Sequence, residues 1–369
     1  MIPTLRRVAT MSSADLYRPH ALRVELWPPA CREAWRDALM APGLFDDAKP
    51  ASNWRPATVT KIRKGFGVYL HWLARQGCLD DAGAPAELVL PARAKAYQAA
   101  LIETGAAPLT VSNRLAEVYS AMRALAPHVD WSWLSKAVKQ LRQSARTVRH
   151  KIFHMQPVHL LAELGDDLMR RAESASGLSA YQRALTYRDG LMVALLARRP
   201  FRLKNFTALT LDASLVLADE TGSLIFSRNE TKGKRAIELP FPARLWRELQ
   251  TYLKVYRPYL LTLQQVAPAG PVDALWLSNE GRGMVDGSIR VAIRKRTRTA
   301  FGQHLWPHLF RDCAVTTLVR DAPASTRLTR DILGHTSIDV TNAHYNQAQM
   351  IEASRRHMAM METLSRQTT

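Results

Sequence analysis

Cysteine is scarce in this chain: Cys31, Cys78 and Cys313 are the only three in 369 residues, widely spaced and odd in number. That excludes a disulfide framework and suits a reducing cytoplasm. Long apolar runs are also missing. The longest uncharged one covers residues 190–197, far short of the roughly 20 residues a membrane helix needs. The first 20 residues contain no apolar stretch of the kind a secretory signal requires. No C-x-x-C pair, H-E-x-x-H or G-x-x-x-x-G-K-[ST] occurs, so no metal site, cofactor or nucleotide P-loop is expected.

Acidic residues are in short supply. Asp and Glu number 32 against 51 Lys and Arg, a net charge of +19. A surplus that large repels itself and favours a polyanionic partner. It is no basic tail on a neutral body, because residues 1–150 carry a net +9 and residues 151–369 a net +10. Both halves are therefore expected to touch one polyanion, and nucleic acid fits best. The length exceeds the range of a single growing core, so two domains are expected.

Residues 1–51 are rich in Pro and Arg, with one short helical stretch from Cys31 to Met40, and form an extension with no assigned role. Residues 52–147 read as a helical bundle with helices at 56–75, 91–103, 110–125 and 131–146. In the first of these, Val59, Ile62, Phe66, Tyr69, Leu70 and Leu73 form one apolar face, and Gly77 ends it. Lys61, Lys64, Arg142 and Arg146 lie on the polar faces and are candidate DNA contacts. Residues 148–156 lack an apolar face and read as a linker. The second domain, 157–369, opens with helices at 157–173 and 179–197. Short strands follow at 214–218, 223–227 and 236–239, a small antiparallel sheet, and helices are expected from Pro242 to the end.

The sharpest signals lie in this second domain. Arg202 follows the apolar helix; Lys232 and Lys234 sit in a glycine turn between two strands. His308 and Arg311 are three apart just after Pro307, which places both on one helix face. Leu333-Gly334-His335 precedes Tyr345 by ten residues, and no tyrosine other than Tyr345 follows Tyr259. A second basic feature is the stripe of Arg290, Arg294 and Arg298 at four-residue steps, on a helix expected to begin near Asp286 with Val291 and Ile293 facing inward. Such a helix suits DNA backbone or the major groove.

Arg202, Lys232, His308-x-x-Arg311, Gly334-His335 and Tyr345, in that order, resemble the catalytic domain of the tyrosine recombinase (phage integrase) family. The resemblance covers about residues 155–350 and extends more weakly over 52–147, where that family carries a helical core-binding domain. It implies a mainly α fold with a small antiparallel β-sheet: a helical bundle plus an α+β catalytic domain. It also implies that Tyr345 attacks a DNA phosphodiester to leave a 3′-phosphotyrosyl bond. Arg202, Arg311 and His335 would hold the scissile phosphate, His308 would take the tyrosine's proton, and Lys232 or Lys234 would protonate the leaving 5′-oxygen. The chain departs from the family in having Pro200-Phe201 before the first arginine, where Gly-Leu is usual, and Asn205 in place of an acid.

The chemistry is coherent with those residue types. Phosphodiester attack concentrates negative charge, which preorganised arginines stabilise bidentately. A phenol with an ordinary pKa of about 10 needs cations or a base nearby to act as a nucleophile. The two basic domains are expected to form a C-shaped clamp around a DNA site, the helical bundle on one face and the catalytic domain on the other. The resemblance further implies double-stranded DNA sites as partners, a homotetramer on two sites, possible accessory DNA-bending or directionality proteins, and work at the cytoplasmic nucleoid. The competing expectations are a type IB topoisomerase-like relaxing enzyme and a DNA-binding regulator that keeps the fold without catalysis.

Overall fold

A computed structural model describes residues 20–43, 49–79, 83–145, 154–218, 221–228, 236–265, 272–321 and Met360. The chain divides into two compact units, Met1–Arg149 and His150–Thr369. It is mainly helical, with one three-stranded antiparallel sheet.

The first unit holds helices α1 (Pro29–Leu39), α2 (Pro56–Arg75), α3 (Pro91–Glu103), α4 (Pro108–Leu125) and α5 (Ser132–Ser144). Four of the five start with proline at a first helical position, where its missing N–H costs nothing. The apolar face of α2 is buried as its spacing requires, through Ile62, Phe66, Tyr69, Leu70 and Leu73. Gly77 ends α2 with a left-handed φ of 67°. The Gly77 and Cys78 amides then reach back to the carbonyls of Ala74 and Leu73, closing orphan acceptors of the last turn.

The extension given no role by the sequence contributes to this core. Trp27 and Trp35, both almost fully buried, pack edge-on at 5.6 Å, and Trp27 meets Phe66 at 5.2 Å. Trp54, Trp72, Trp131 and Trp133 join the same cluster. So α1 is a structural helix of the bundle, burying Cys31, Trp35 and Ala38 at four- and three-residue steps along its inner face.

The second unit is organised around α7 (Ala180–Arg198), which is buried along most of its length and packs along α6 (Val158–Ser174). Ser179 and Gln182 form a reciprocal cap at its start. Arg183 donates to the carbonyls of Ala172, Glu173, Ala175 and Leu178, tying off the turn between the helices. The two helices approach closely because glycine faces glycine. A Cβ on Gly190 would sit 2.8 Å from the Gly165 carbonyl, and one on Gly165 would sit 2.5 Å from the Ala194 amide.

After the short helix α8 (Leu203–Thr207), strands β1 (Leu215–Leu217), β2 (Gly222–Phe226) and β3 (Ile237–Pro240) pair in order with Leu215 opposite Leu224 and Phe226 opposite Ile237. Leu224 and Phe226 point into the core, where Phe226 meets Phe201 at 5.4 Å. A helical run follows: α9 (Trp246–Thr251), a π turn at Tyr252–Tyr256, and α10 (Arg257–Leu261).

The expectation of helices from Pro242 to the end needs correction. Residues 272–285 form an extended segment with a turn at 278–282, bridged to Thr210 and folded back on itself between Leu277 and Gly283. Its Trp276 stacks on Phe206 at 5.0 Å and donates to the Phe206 carbonyl, so a buried aromatic and backbone pairing override helix formation. Helices α11 (Asp286–Phe301) and α12 (Pro307–Asp321) complete the described part of the unit. Part of the stretch expected as linker is packed: the Gln156 amide donates to Cys313 Sγ at 3.4 Å, and His154 lies beside His304 and Trp306. Among the described residues, no helix is long and apolar enough to cross a membrane, and no group of three or more His, Cys, Asp or Glu could hold a metal ion.

Candidate active site

Two arginines far apart in sequence lie near enough at the end of α7 for their charges to oppose each other. Arg202 caps the N-terminus of α8 in an extended conformation, just past the Pro200-Phe201 turn. Phe201 is buried, which pins the turn and leaves the half-buried Arg202 at its edge. Arg311 lies one turn into α12 and is 5% exposed. Its Nη1 donates to the carbonyl oxygen of Pro200. Burial pushes its pKa down to about 10, the nearby charge of Arg202 pushes the same way, and Asp312 opposes both. Arg311 therefore remains a cation at neutral pH, beside a second cation. Two neighbouring guanidiniums in a partly desolvated site have the chemistry to bind an anion with several oxygens.

His308 begins the same helix and is exposed. Its neighbours Leu309 and Phe310 are fully buried and fix α12 against the core. Asn205, three residues past Arg202, is itself buried. Lys232 and Lys234 fall in the connection between β2 and β3, and His335 and Tyr345 fall after α12; all four lie outside the described residues, as does Arg146.

The candidate DNA contacts are exposed where described. Lys61 and Lys64 lie on the outer side of α2, and Arg142 on α5. On α11, Arg290, Arg294 and Arg298 share one exposed face. Val291 does not face inward as expected: it is 65% exposed, while Ile289, Ala292, Ile293 and Thr297 make the buried side. The helix is rotated relative to the expectation because Thr297, fully buried, accepts the Leu305 amide and so fixes its last turn.

Sequence reasoning passed over three contributors. The Pro200 carbonyl as an anchor for Arg311 carries no sequence signal. Asp189 does carry one, as an isolated acid next to Arg188 within a helix that is otherwise largely apolar. Arg296 lies in the same basic stretch of sequence as Arg294 and Arg298, yet it is off their four-residue stripe and bonds Asp189 instead of facing out.

A family model for the phage integrase family matches residues 167–352, half of the chain. The chain belongs to that family. Tyrosine recombinase XerC of Pseudomonas syringae pv. tomato is 26% identical over 160 residues, 43% of this chain and 48% of XerC. XerC of Pseudomonas syringae pv. syringae matches to the same extent. The chain thus spans about half the length of the curated relatives it matches. Its fold is similar to that of XerH site-specific recombinase bound to difH substrate, with a TM-score of 0.51 and 14% identity over 81% of this chain and 78% of XerH. The Tn1549 transposon integrase in complex with circular intermediate DNA is similar at a TM-score of 0.51 and 15% identity, over 87% of this chain and 98% of that one.

Proposed function

We propose that this protein is a site-specific DNA recombinase that cuts and rejoins DNA strands through Tyr345, in the integration or excision of a mobile element. The observation that carries the reading is that Arg202 and Arg311, 109 residues apart in sequence, lie near enough at the end of α7 for the charge of one to act on the other. Family membership and the basic faces of α2, α5 and α11 support the same reading.

In the proposed reaction the Tyr345 oxygen attacks the scissile phosphorus, and its proton passes to His308. A bond from phosphorus to the tyrosine oxygen forms and the bond to the 5′-oxygen breaks. That oxygen takes a proton from Lys232 or Lys234. Arg202, Arg311 and His335 bind the non-bridging oxygens, whose charge grows in the transition state. The phosphotyrosyl bond keeps the energy of the broken linkage, so rejoining is the same step reversed with a new 5′-hydroxyl. Exchange between two sites calls for four copies of the chain, one for each strand cut, with accessory DNA-bending or directionality proteins as further partners.

The test is a pool of nicked suicide duplexes, in which the leaving fragment diffuses away after cleavage. Wild-type protein is expected to form a covalent protein–DNA adduct and Tyr345→Phe none. An unchanged adduct in that variant removes Tyr345 from the mechanism. Tight site-specific binding with no wild-type adduct would instead mark a DNA-binding regulator.

A further inference from the structure

Helix α11 is held from its inner side by a buried ion cluster. Asp189, 4% exposed, accepts through Oδ1 from Arg188 Nε at 3.0 Å and Nη2 at 2.6 Å. Its Oδ2 accepts from Arg296 Nε at 2.8 Å. Arg296 Nη2 donates to Thr186 Oγ1 at 3.1 Å, and Arg188 Nη1 donates to the Leu277 carbonyl at 2.7 Å. One carboxylate thus joins α7, α11 and the extended segment at 272–285.

The geometry of a helix makes this contact directional. Each residue turns the chain by one part in about 3.6, so fixing the azimuth of one side chain fixes all the others. The apolar contacts of Ile289, Ala292 and Ile293 hold α11 to the core but tolerate some rotation, because hydrophobic contact has no preferred direction. A planar guanidinium bonded to both a carboxylate and a hydroxyl does not. With Arg296 drawn in, Arg290, Val291, Arg294, Lys295 and Arg298 face out together. This face combines the two kinds of group that read base edges in the major groove: arginine for guanine, and an apolar side chain for the thymine methyl. The helix that carries Asp189 also leads, four residues past its end, to Arg202.

We propose that Arg296, through Asp189, is a positioning residue for sequence reading: with the Thr297–Leu305 contact at the last turn, it sets the rotation of α11 that presents Arg290, Val291 and Arg294 to the bases. It rests on the DNA recombinase reading above. Because Arg296 bonds within the protein, it adds little to general attraction for DNA; it governs which sequences fit.

The test begins with wild-type full-length protein selecting sites from a randomised duplex pool. Affinity for the selected site and for a scrambled duplex is then measured for Arg296→Met, Asp189→Asn, Thr186→Val and Arg296→Lys, with melting curves for each. Arg296→Met and Asp189→Asn are expected to cut the selected-to-scrambled affinity ratio at least tenfold while affinity for the scrambled duplex stays near wild type. Thr186→Val removes only the hydroxyl contact, keeps the ion pair, and is expected to lower the ratio less. Arg296→Lys is expected to restore part of it. An unchanged ratio in folded Arg296→Met or Thr186→Val overturns the inference. So does a parallel fall in both affinities with a lower salt slope, which would make Arg296 a phosphate contact, or a parallel fall with loss of folding in every variant. If wild type selects no sequence and forms no adduct, the functional reading itself fails, an outcome distinct from all of these.

Discussion

Arg311 donates a hydrogen bond to the carbonyl oxygen of Pro200, which lies 111 residues earlier in the chain. The contact draws the first turn of α12 onto the turn that ends α7 and sets Arg311 beside Arg202. The segment at Pro200-Phe201 therefore helps bring the two cations together: a backbone carbonyl, which any residue there would offer, holds one arginine, and the buried phenylalanine directly precedes the other.

Arg311→Ala and Arg311→Lys are both expected to lower the rate of adduct formation by ~10²–10³, the usual effect of losing one preorganised donor to a developing oxyanion. Lysine keeps the charge but has no planar fork to serve the Pro200 carbonyl and a phosphate together. DNA affinity in a gel-shift assay should change little. Single-turnover cleavage at the wild-type rate in either variant would exclude Arg311 from the phosphate site.

Gly190→Ala should destabilise the second unit by ~1–3 kcal/mol, the typical effect of overpacking a close interface. The added methyl group would fall 2.8 Å from the Gly165 carbonyl and 2.9 Å from the Leu168 and Met169 side chains. Thermal denaturation checks this. A melting temperature equal to wild type would mean that α6 and α7 separate freely, contrary to their packing.

Alkaline pH should weaken the fold through its buried thiols. Burial pushes Cys31 and Cys313 from an ordinary 9.0 up to about 12. Between those values the unfolded chain releases thiol protons that the native chain retains, so stability is complete below pH 9 and falls as pH rises towards 12. The slope is about 1.4 kcal/mol per pH unit for each thiol. Urea titrations from pH 8 to pH 11 read it, and Cys313→Ala should remove its share. In native protein at pH 8, a thiol reagent should label half-buried Cys78 and spare the other two; labelling of Cys31 or Cys313 at a comparable rate would contradict their burial.

Arg294→Ala should reduce the dependence of log affinity on log salt by about 0.9, the contribution of one neutralised phosphate, if this arginine meets the backbone. If it reads a base, the salt slope should hold and discrimination at one position of the site should relax. A variant indistinguishable from wild type in both measurements would remove the α11 stripe from the DNA interface.

The helices and strands were legible because their signals are local. Proline at helix starts, Gly77 at a helix end and the apolar face of α2 need only a few neighbouring residues. The mainly α fold with a small antiparallel sheet followed from them. What escaped depends on partners far off in the chain. Residues 272–285 are extended because Trp276 packs on Phe206, 70 residues away. Val291 faces out because Thr297 and Arg296 are both fastened inward. Trp35 shares one helical apolar face with Cys31 and Ala38, but which core that face joins, together with Trp27, is set only by the three-dimensional aromatic cluster. In the candidate site, residue types and order could be read directly, and Arg202 lies near enough to Arg311 to act on its charge. The carbonyl that seats Arg311 could not be read, because a backbone atom leaves no letter in a sequence.

The aromatic core of the first unit has an optical consequence. Six of the nine tryptophans, at 27, 35, 54, 72, 131 and 133, belong to that unit, and three, at 246, 276 and 306, to the other. Intrinsic fluorescence is thus weighted towards one unit and far-ultraviolet dichroism is spread over both. A denaturation followed by the two signals together would resolve whether the units melt as one or in sequence, with no label added.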